Sequence, residues 1–228
     1  MSRLRRMPRQ QQPARPVRRR SYDQFCATAR ALDSVGDRWT LLIVRELLAG
    51  PRRYTDLHAD LPGVSTDVLA SRLKDMEQGG LAVRRRLPPP AAAAVYELTE
   101  PGRGLLPVLT ALAGWGAPAL GERRPTDAVR AHWFALPLLR VLDGLTHSGV
   151  IEVRLAEGEF HIRTGAEAAA GEAYGYGPAE QPDACLVLDE DAALAVGRGE
   201  STLAEAVKEG RAEVLGEGPL AAELRGGG

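Results

Sequence analysis

"LPGVSTDVLASRLKDMEQGGL", residues 61–81, decides the architecture of the first half of the chain. Pro62-Gly63 makes a tight turn and Gly79-Gly80 makes a stop. Between them Ser65 stands where a helix N-cap stands, and Asp67 falls in the first turn, where a negative charge meets the positive end of the helix dipole. At 100° per residue, Leu69, Leu73 and Met76 share one face, and Asp67, Ser71, Lys74 and Gln78 share the opposite one. The outward face therefore carries short polar groups and a single cation, not the dense charge of an ordinary solvated helix. Such a face is either plain solvated surface or one that approaches another molecule closely.

The flanking segments discriminate between the two. "VGDRWTLLIVRELLAG", residues 35–50, reads as a helix capped by Asp37. Its Trp39, Leu41, Leu42, Ile43, Val44, Leu47 and Leu48 point almost all round, so it belongs in the middle of a small core. Gly50-Pro51 stops it. Before it, Phe25, Ala29 and Leu32 recur at helical spacing; after it, "RRYTDLHADL" is a short helix with Tyr54, Leu57 and Leu61 inward. Residues 81–83 and 95–98 read as strands around a loop broken by Pro88, Pro89 and Pro90, with Arg84, Arg85 and Arg86 where the hairpin leaves the body. Residues 105–120 form a further helix with a stripe of Leu105, Leu109, Leu112 and Trp115.

Helix, helix, short helix, turn, helix and basic hairpin is the order of a winged helix-turn-helix. The second helix of that motif enters the major groove of DNA, about 12 Å wide, where short side chains meet base edges. The DNA-binding set read from this placement is Arg52, Arg53 and Tyr54 at the first helix, Ser65, Thr66, Asp67, Ser71, Arg72 and Lys74 on the second, and Arg84, Arg85 and Arg86 on the hairpin. Charge agrees. Residues 1–125 hold 21 Lys+Arg against 12 Asp+Glu, whereas residues 126–228 hold 8 against 18, so a basic half and an acidic half hide behind a net charge of −1. A basic half is suited to a polyanion. Residues 1–20, with eight Arg and almost no apolar side chain, read as a disordered arm. The expected domains are this arm, a winged domain over 21–125 and a second domain over 126–228.

These residues also resemble a family. Gly36-Asp37-Arg38-Trp39 before the central helix, Arg53-Tyr54-x-x-Leu57 at the first helix of the motif, and Tyr96-x-Leu98-Thr99-x-x-Gly102 after the wing are similar to the HxlR-type bacterial transcriptional regulators, relatives of the MarR type. The likeness runs from about Cys26 to Trp115. It implies a cytoplasmic, nucleoid-associated homodimer, joined through helices near residues 22–33 and 101–120, that binds a near-palindromic operator in double-stranded DNA and represses by default. Many members carry Cys-Pro at the N-terminal cysteine and use the thiol as a sensor. Here the pair is Cys26-Ala27, with Arg30 one turn on, so sensing by Cys26 is set beside the plainer reading of a tolerated thiol.

The chain continues for about 110 residues past the point where typical members of that family end. Residues 126–147 read as a helix kinked or divided at Pro137, 149–165 as a hairpin around Glu157-Gly158, and 184–224 as strand, helix, helix, strand, helix. This layout resembles the sterol-carrier-protein-like fold, an antiparallel sheet backed by helices, and makes the whole chain α+β. The resemblance implies an apolar small-molecule effector. Trp115, Trp133, Phe134, Leu138, Tyr174 and Tyr176 are the large side chains available to line its pocket, with core packing as the alternative for each. Residues 165–182, rich in Gly and Ala, read as a mobile loop or a lid.

Other classes are disfavoured. The four histidines have no metal-ligand spacing, and Cys26 and Cys185 are too isolated for a disulfide framework. No nucleophile elbow, phosphate loop or dinucleotide fingerprint is present, so no catalytic residue, metal or cofactor is expected. No apolar run approaches the roughly 20 residues of a membrane span. The competing assignment is a small-molecule carrier whose winged domain serves dimerisation or protein docking. The basic arm and hairpin weigh against it.

Overall fold

The computed structural model describes residues 21–166, 168 and 172–226; the basic arm lies outside them, as do parts of the 165–182 loop. Of the described residues, 21–36 form one unit and those from Asp37 onward another. In the first, α1 (Ala27–Val35) follows Cys26, and Asp33 accepts hydrogen bonds from the Ser21 hydroxyl and the Tyr22 N–H.

In the second unit, α2 (Thr40–Leu48) begins where the Asp37 carboxylate accepts the Trp39 N–H at 3.0 Å, and ends before Gly50, whose φ of +120° suits glycine. Ile43, Val44, Leu47 and Leu48 are all buried, as the all-round apolar pattern requires. Strand β1 (Arg52–Arg53) leads into α3 (Tyr54–Asp60), a turn at Pro62-Gly63, and α4 (Thr66–Gln78). Strands β2 (Ala82–Arg86) and β3 (Ala94–Leu98) make the hairpin, and β1 pairs with the other edge of β3 to complete a sheet of order β1-β3-β2. Strand β1 is too short to show a period in sequence. Arg84, Arg85 and Arg86 lie within β2 itself, not beyond its end.

A short helix not expected from the sequence, α5 (Glu100–Arg103), precedes the run read as one helix over 105–120, which is α6 (Leu106–Gly116) followed by a 3₁₀ turn, Ala117–Ala119. Thr99 caps α5: its hydroxyl accepts the Gly102 N–H at 3.3 Å and donates to the Gly80 carbonyl at 2.5 Å, which ties α5 to the end of α4. A Cβ on Gly102 would collide with the Leu81 carbonyl oxygen, so only glycine lets α5 sit there.

In the C-terminal half, residues 126–130 are not helical; a 3₁₀ turn, Ala131–Phe134, runs into α7 (Ala135–Leu142). Pro137 therefore does not kink a long helix. It is the third residue of α7, where its missing N–H would have had no intrahelical partner. Strands β4 (Gly149–Leu155), β5 (Gly158–Thr164), β6 (Tyr174–Tyr176) and β7 (Ala184–Leu188) are followed by α8 (Glu190–Arg198), α9 (Leu203–Lys208), β8 (Ala212–Leu215) and α10 (Pro219–Leu224). The sheet order is β6-β5-β4-β7-β8.

The sheet is mixed and not wholly antiparallel. The chain crosses from edge strand β6 to the far side of β4, where β7 pairs parallel. One face is apolar: Ile151, Val153, Phe160, Ile162, Tyr174, Leu186 and Val214 are buried, as are Leu138 of α7, Val196 of α8 and Leu220 of α10. The order of elements expected over 184–224 matches the structure, and the helices there are capped locally. The Asp189 carboxylate accepts the Ala192 N–H at 2.7 Å, and Thr202 and Glu205 form a capping box.

The winged region and the C-terminal half meet at Glu46, a fully buried carboxylate of α2. It accepts hydrogen bonds from Arg45 Nε at 2.8 Å, Trp133 Nε1 at 2.9 Å, His132 Nε2 at 2.7 Å and the Tyr176 hydroxyl at 3.2 Å. The Tyr174 and Tyr176 hydroxyls donate to the carbonyls of Arg45 and Glu46, in the last turn of α2, where carbonyls lack intrahelical partners. Burial pulls the Glu46 pKa upward, but His132 and Arg45 outweigh it and hold the carboxyl below its usual range. Burial and the nearby Glu46 charge push both tyrosine hydroxyls up, so they remain donors.

Glu46→Ala strands buried donors on His132 and Trp133 and should cost on the order of 3 kcal/mol in urea unfolding. Because the folded carboxyl titrates below the unfolded one, its stabilisation is complete above the ordinary carboxylate range and is lost as pH falls through the folded value. The wild type should therefore lose more stability than Glu46→Gln between about pH 5 and pH 3; parallel losses would show that Glu46 is not the titrating group.

Candidate nucleic-acid interface

The placement of α4 is set from both sides. Ser65 caps it, its hydroxyl accepting the Val68 N–H at 3.3 Å, and the Tyr54 hydroxyl of α3 donates to the Thr66 carbonyl at 2.8 Å. Leu69, Leu73 and Met76 are buried, which leaves Thr66, Asp67, Ala70, Ser71 and Lys74 exposed along the outer side. Arg72 does not join them freely: its guanidinium is paired with Asp37 at 3.2 Å and Asp75 at 2.9 Å.

On the hairpin, strand alternation sends Arg84 and Arg86 to one side and Arg85 to the other. Arg85 pairs with Glu97 at 2.7 Å, and Glu97 also holds Arg103 at 2.9 Å. Arg52 is turned inward. It is paired with Asp60, and its guanidinium lies over the Tyr176 ring, 4.0 Å from the centroid. Among the described residues, Arg53, Lys74, Arg84 and Arg86 are exposed and have no ion-pair partner. The structure thus sorts the expected arginines into free cations (Arg53, Arg84, Arg86) and cations already engaged within the protein (Arg52, Arg72, Arg85).

A profile of the HxlR-like helix-turn-helix family matches residues 34–124. The uncharacterized HTH-type transcriptional regulator YvaP of Bacillus subtilis is 37% identical over 86 residues, which are 38% of this chain and 80% of that protein. The chain belongs to the HxlR-like helix-turn-helix family. YodB, an HTH-type transcriptional regulator of the same organism, is 35% identical over 85 residues, 37% of this chain and 76% of YodB. The reduced form of YodB superposes with a TM-score of 0.38 at 31% identity, covering 46% of this chain and all of that one. Membership makes the protein a DNA-binding transcriptional regulator and not an enzyme. No helix among the described residues is long and apolar enough to cross a membrane.

Of the remaining candidate residues, Trp115 lies inside the matched 34–124 span and the others lie outside it. Cys26 is exposed at the start of α1; the backbone N–H groups of Ala29 and Thr28 hold its thiol below the usual range, although it makes no capping hydrogen bond. Leu138, Tyr174 and Tyr176 are committed to packing and to the end of α2. Trp115, 82% exposed, borders a groove of about 810 Å³ between α6, α7 and β5. Trp133 and Phe134 line a second groove, of about 770 Å³, at the junction of the two halves.

Of the residues that make this junction, sequence reasoning missed Arg45, Glu46 and Arg130 and assigned Arg52 to DNA. Arg130 donates to the Asp60 carboxylate and the Ala59 carbonyl, both at 3.1 Å. One signal was available, the lone Arg45-Glu46 pair inside an otherwise apolar helix, since a carboxylate there must be met by donors from elsewhere.

The cap generates a direct test. Ser65→Ala should cost about 1 kcal/mol of stability, and Ser65→Asp should restore most of it. Equal stability of all three proteins in denaturant titrations would show that Ser65 does not hold the start of α4.

Proposed function

We propose that the protein is a dimeric repressor that reads a near-palindromic operator with α4 and whose C-terminal half takes an apolar small molecule. The observation that carries the DNA assignment is the exposed, short-chained face of α4 beside the unpaired Arg84 and Arg86 of β2. In this reading Asp67 and Ser71 meet base edges, Lys74 meets a base or phosphate, Thr66 and Arg53 flank them, and Arg84 and Arg86 hold the adjoining backbone. Tyr54 and Ser65 act by holding α4, and Arg72 and Arg85 reach DNA only on leaving their carboxylates.

Two apolar surfaces support the dimer. Val108, Leu112 and Trp115 of α6 are exposed on one side of that helix, and in the first unit Phe25 and Leu32 are exposed. A second copy covering them would bury surface that a lone chain leaves to water. The apolar-ligand role is supported by the apolar sheet backed by helices, the layout that resembles a sterol-carrier-like module, and by two grooves, one against β5 and one at the junction of the two halves.

Sequence selection from random duplexes, repeated with variants, tests the DNA assignment. Asp67→Ala and Ser71→Ala should each change the preferred bases, at roughly 1–3 kcal/mol per lost base contact. Equal loss on selected and random DNA would show that they do not read bases. Replacing Arg84 and Arg86 with Ala should weaken binding to all sequences and flatten the salt dependence by up to about 0.9 in log–log slope per lost phosphate contact. Arg85→Ala should change that slope less. A carrier that uses the winged domain only for docking would show no steep salt dependence on any duplex.

A further inference from the structure

We infer that the groove at the junction binds a neutral, largely apolar molecule and that its occupancy is felt directly by the helix-turn-helix. The inference rests on the apolar-ligand reading above and gives it a place, a ligand class and a route. The groove, about 770 Å³ and within the range of small-molecule sites, is walled by Ala117, Leu120, Phe134, Pro137 and Leu194.

Each cation on its wall already has a carboxylate partner. Arg123 pairs with Glu190 at 2.6 Å, Arg124 with Asp127 at 2.9 Å, Arg45 with Glu46 at 2.7 Å and Arg198 with Glu200 at 3.7 Å, while the buried Arg198 Nε has no hydrogen-bond acceptor among the described residues, which suits a ligand carrying one neutral acceptor. An ionised ligand would enter without a counter-charge, at the cost of desolvation, whereas a neutral one displaces only water from apolar walls. The groove beside Trp115 differs. Arg140, Arg163 and Asp143 on its border have no ion-pair partner among the described residues, so that site carries uncompensated charge and is less suited to a neutral ligand.

The route is short. Pro62, in the turn between α3 and α4, is part of the groove wall, as are Arg45 and Trp133. The Arg45 guanidinium stacks on the Trp133 ring, 4.1 Å from its centroid, and both side chains donate to Glu46. A molecule in the groove thus presses on the turn that sets the angle of α4 and on the stack that holds α2 to the C-terminal half. Trp133 is in this scheme a positioning residue: its indole N–H transmits, while its ring helps to bind.

The test uses the full chain and the uncharged dye N-phenyl-1-naphthylamine, read by its fluorescence, with affinity for a selected operator measured with and without dye. Saturable dye binding is expected, with a change in operator affinity of at least about five-fold. Ala117→Trp should fill the groove, and Leu120→Arg, at a position already 57% exposed, should charge it without disturbing the core. Both should abolish dye binding and the dye's effect on DNA. Trp133→Phe should bind dye but show a smaller effect on operator affinity.

Absence of saturable dye binding would sink both the inference and the apolar-ligand reading. Dye binding that survives both groove variants would refute the location and leave that reading standing. Binding blocked by the variants with no change in operator affinity would refute the route. Tighter binding of the anionic analogue anilinonaphthalene sulfonate would refute the neutral ligand class.

Discussion

One buried carboxylate organises Asp37–Gly228. Glu46 sits in the central helix of the winged region with no exposed surface, and a lone ionised group so placed would cost several kcal/mol without donors. Apart from Arg45 beside it, those donors come from residues 132, 133 and 176 of the C-terminal half. Meeting them dictates where the 3₁₀ turn before α7 and the edge strand β6 must lie. Since β6 is an edge of the five-stranded sheet, the position of that whole sheet against α2 follows. The tyrosine hydroxyls of β6 add a second constraint, because they complete the end of α2. The C-terminal half is thus part of the environment in which the helix-turn-helix is held.

The same economy divides the arginines. A basic half suggests a uniformly cationic surface, but guanidinium groups also serve as internal struts. Arg52 and Arg130 converge on Asp60 at the end of α3, Arg72 bridges Asp37 and Asp75, and Arg85 shares Glu97 with Arg103. Partly shielded pairs of this kind fix elements relative to one another more than they stabilise the fold. Among the described residues left without an ion pair, Arg53, Lys74, Arg84 and Arg86 are on or next to the elements that resemble a DNA-reading surface, and Arg38 lies over Trp39 ahead of α2. Counting charges by sequence could not separate struts from free cations, because some partners lie as far as 70 residues away.

The winged region was legible because its signals are local. The turn at Pro62-Gly63, the Ser65 cap, the face of Leu69, Leu73 and Met76, and the all-round apolar 40–48 segment each depend on near neighbours in the chain, and each stands in the structure as read. Misreadings came where local patterns are ambiguous. A proline in an apolar run marks a helix start as well as a kink, and in residues 126–147 the cap-type pair Thr126-Asp127 lies well ahead of the helix that forms, with Asp127 bound to Arg124. Strand β1 is only two residues long. The direction of β7 relative to β4 is invisible in an alternation pattern, which has the same period in parallel and antiparallel strands.

Residue order alone was therefore enough for the succession of helices from α1 to α4 and the hairpin after them (though not for β1), for the inward and outward faces of α4, for the family, and for the run of strand, helix, helix, strand, helix near the C-terminus. Packing of the folded chain was needed to separate free arginines from paired ones, to commit Tyr174 and Tyr176 to the end of α2 and not to a pocket wall, and to bring Pro62, Arg45 and Trp133 to the border of one groove. The difference is one of range. Caps, turns and amphipathic faces are set by residues within a few positions of one another. A buried charge, by contrast, is satisfied by whatever donors the folded chain brings to it, and here they come from 86 to 130 residues away.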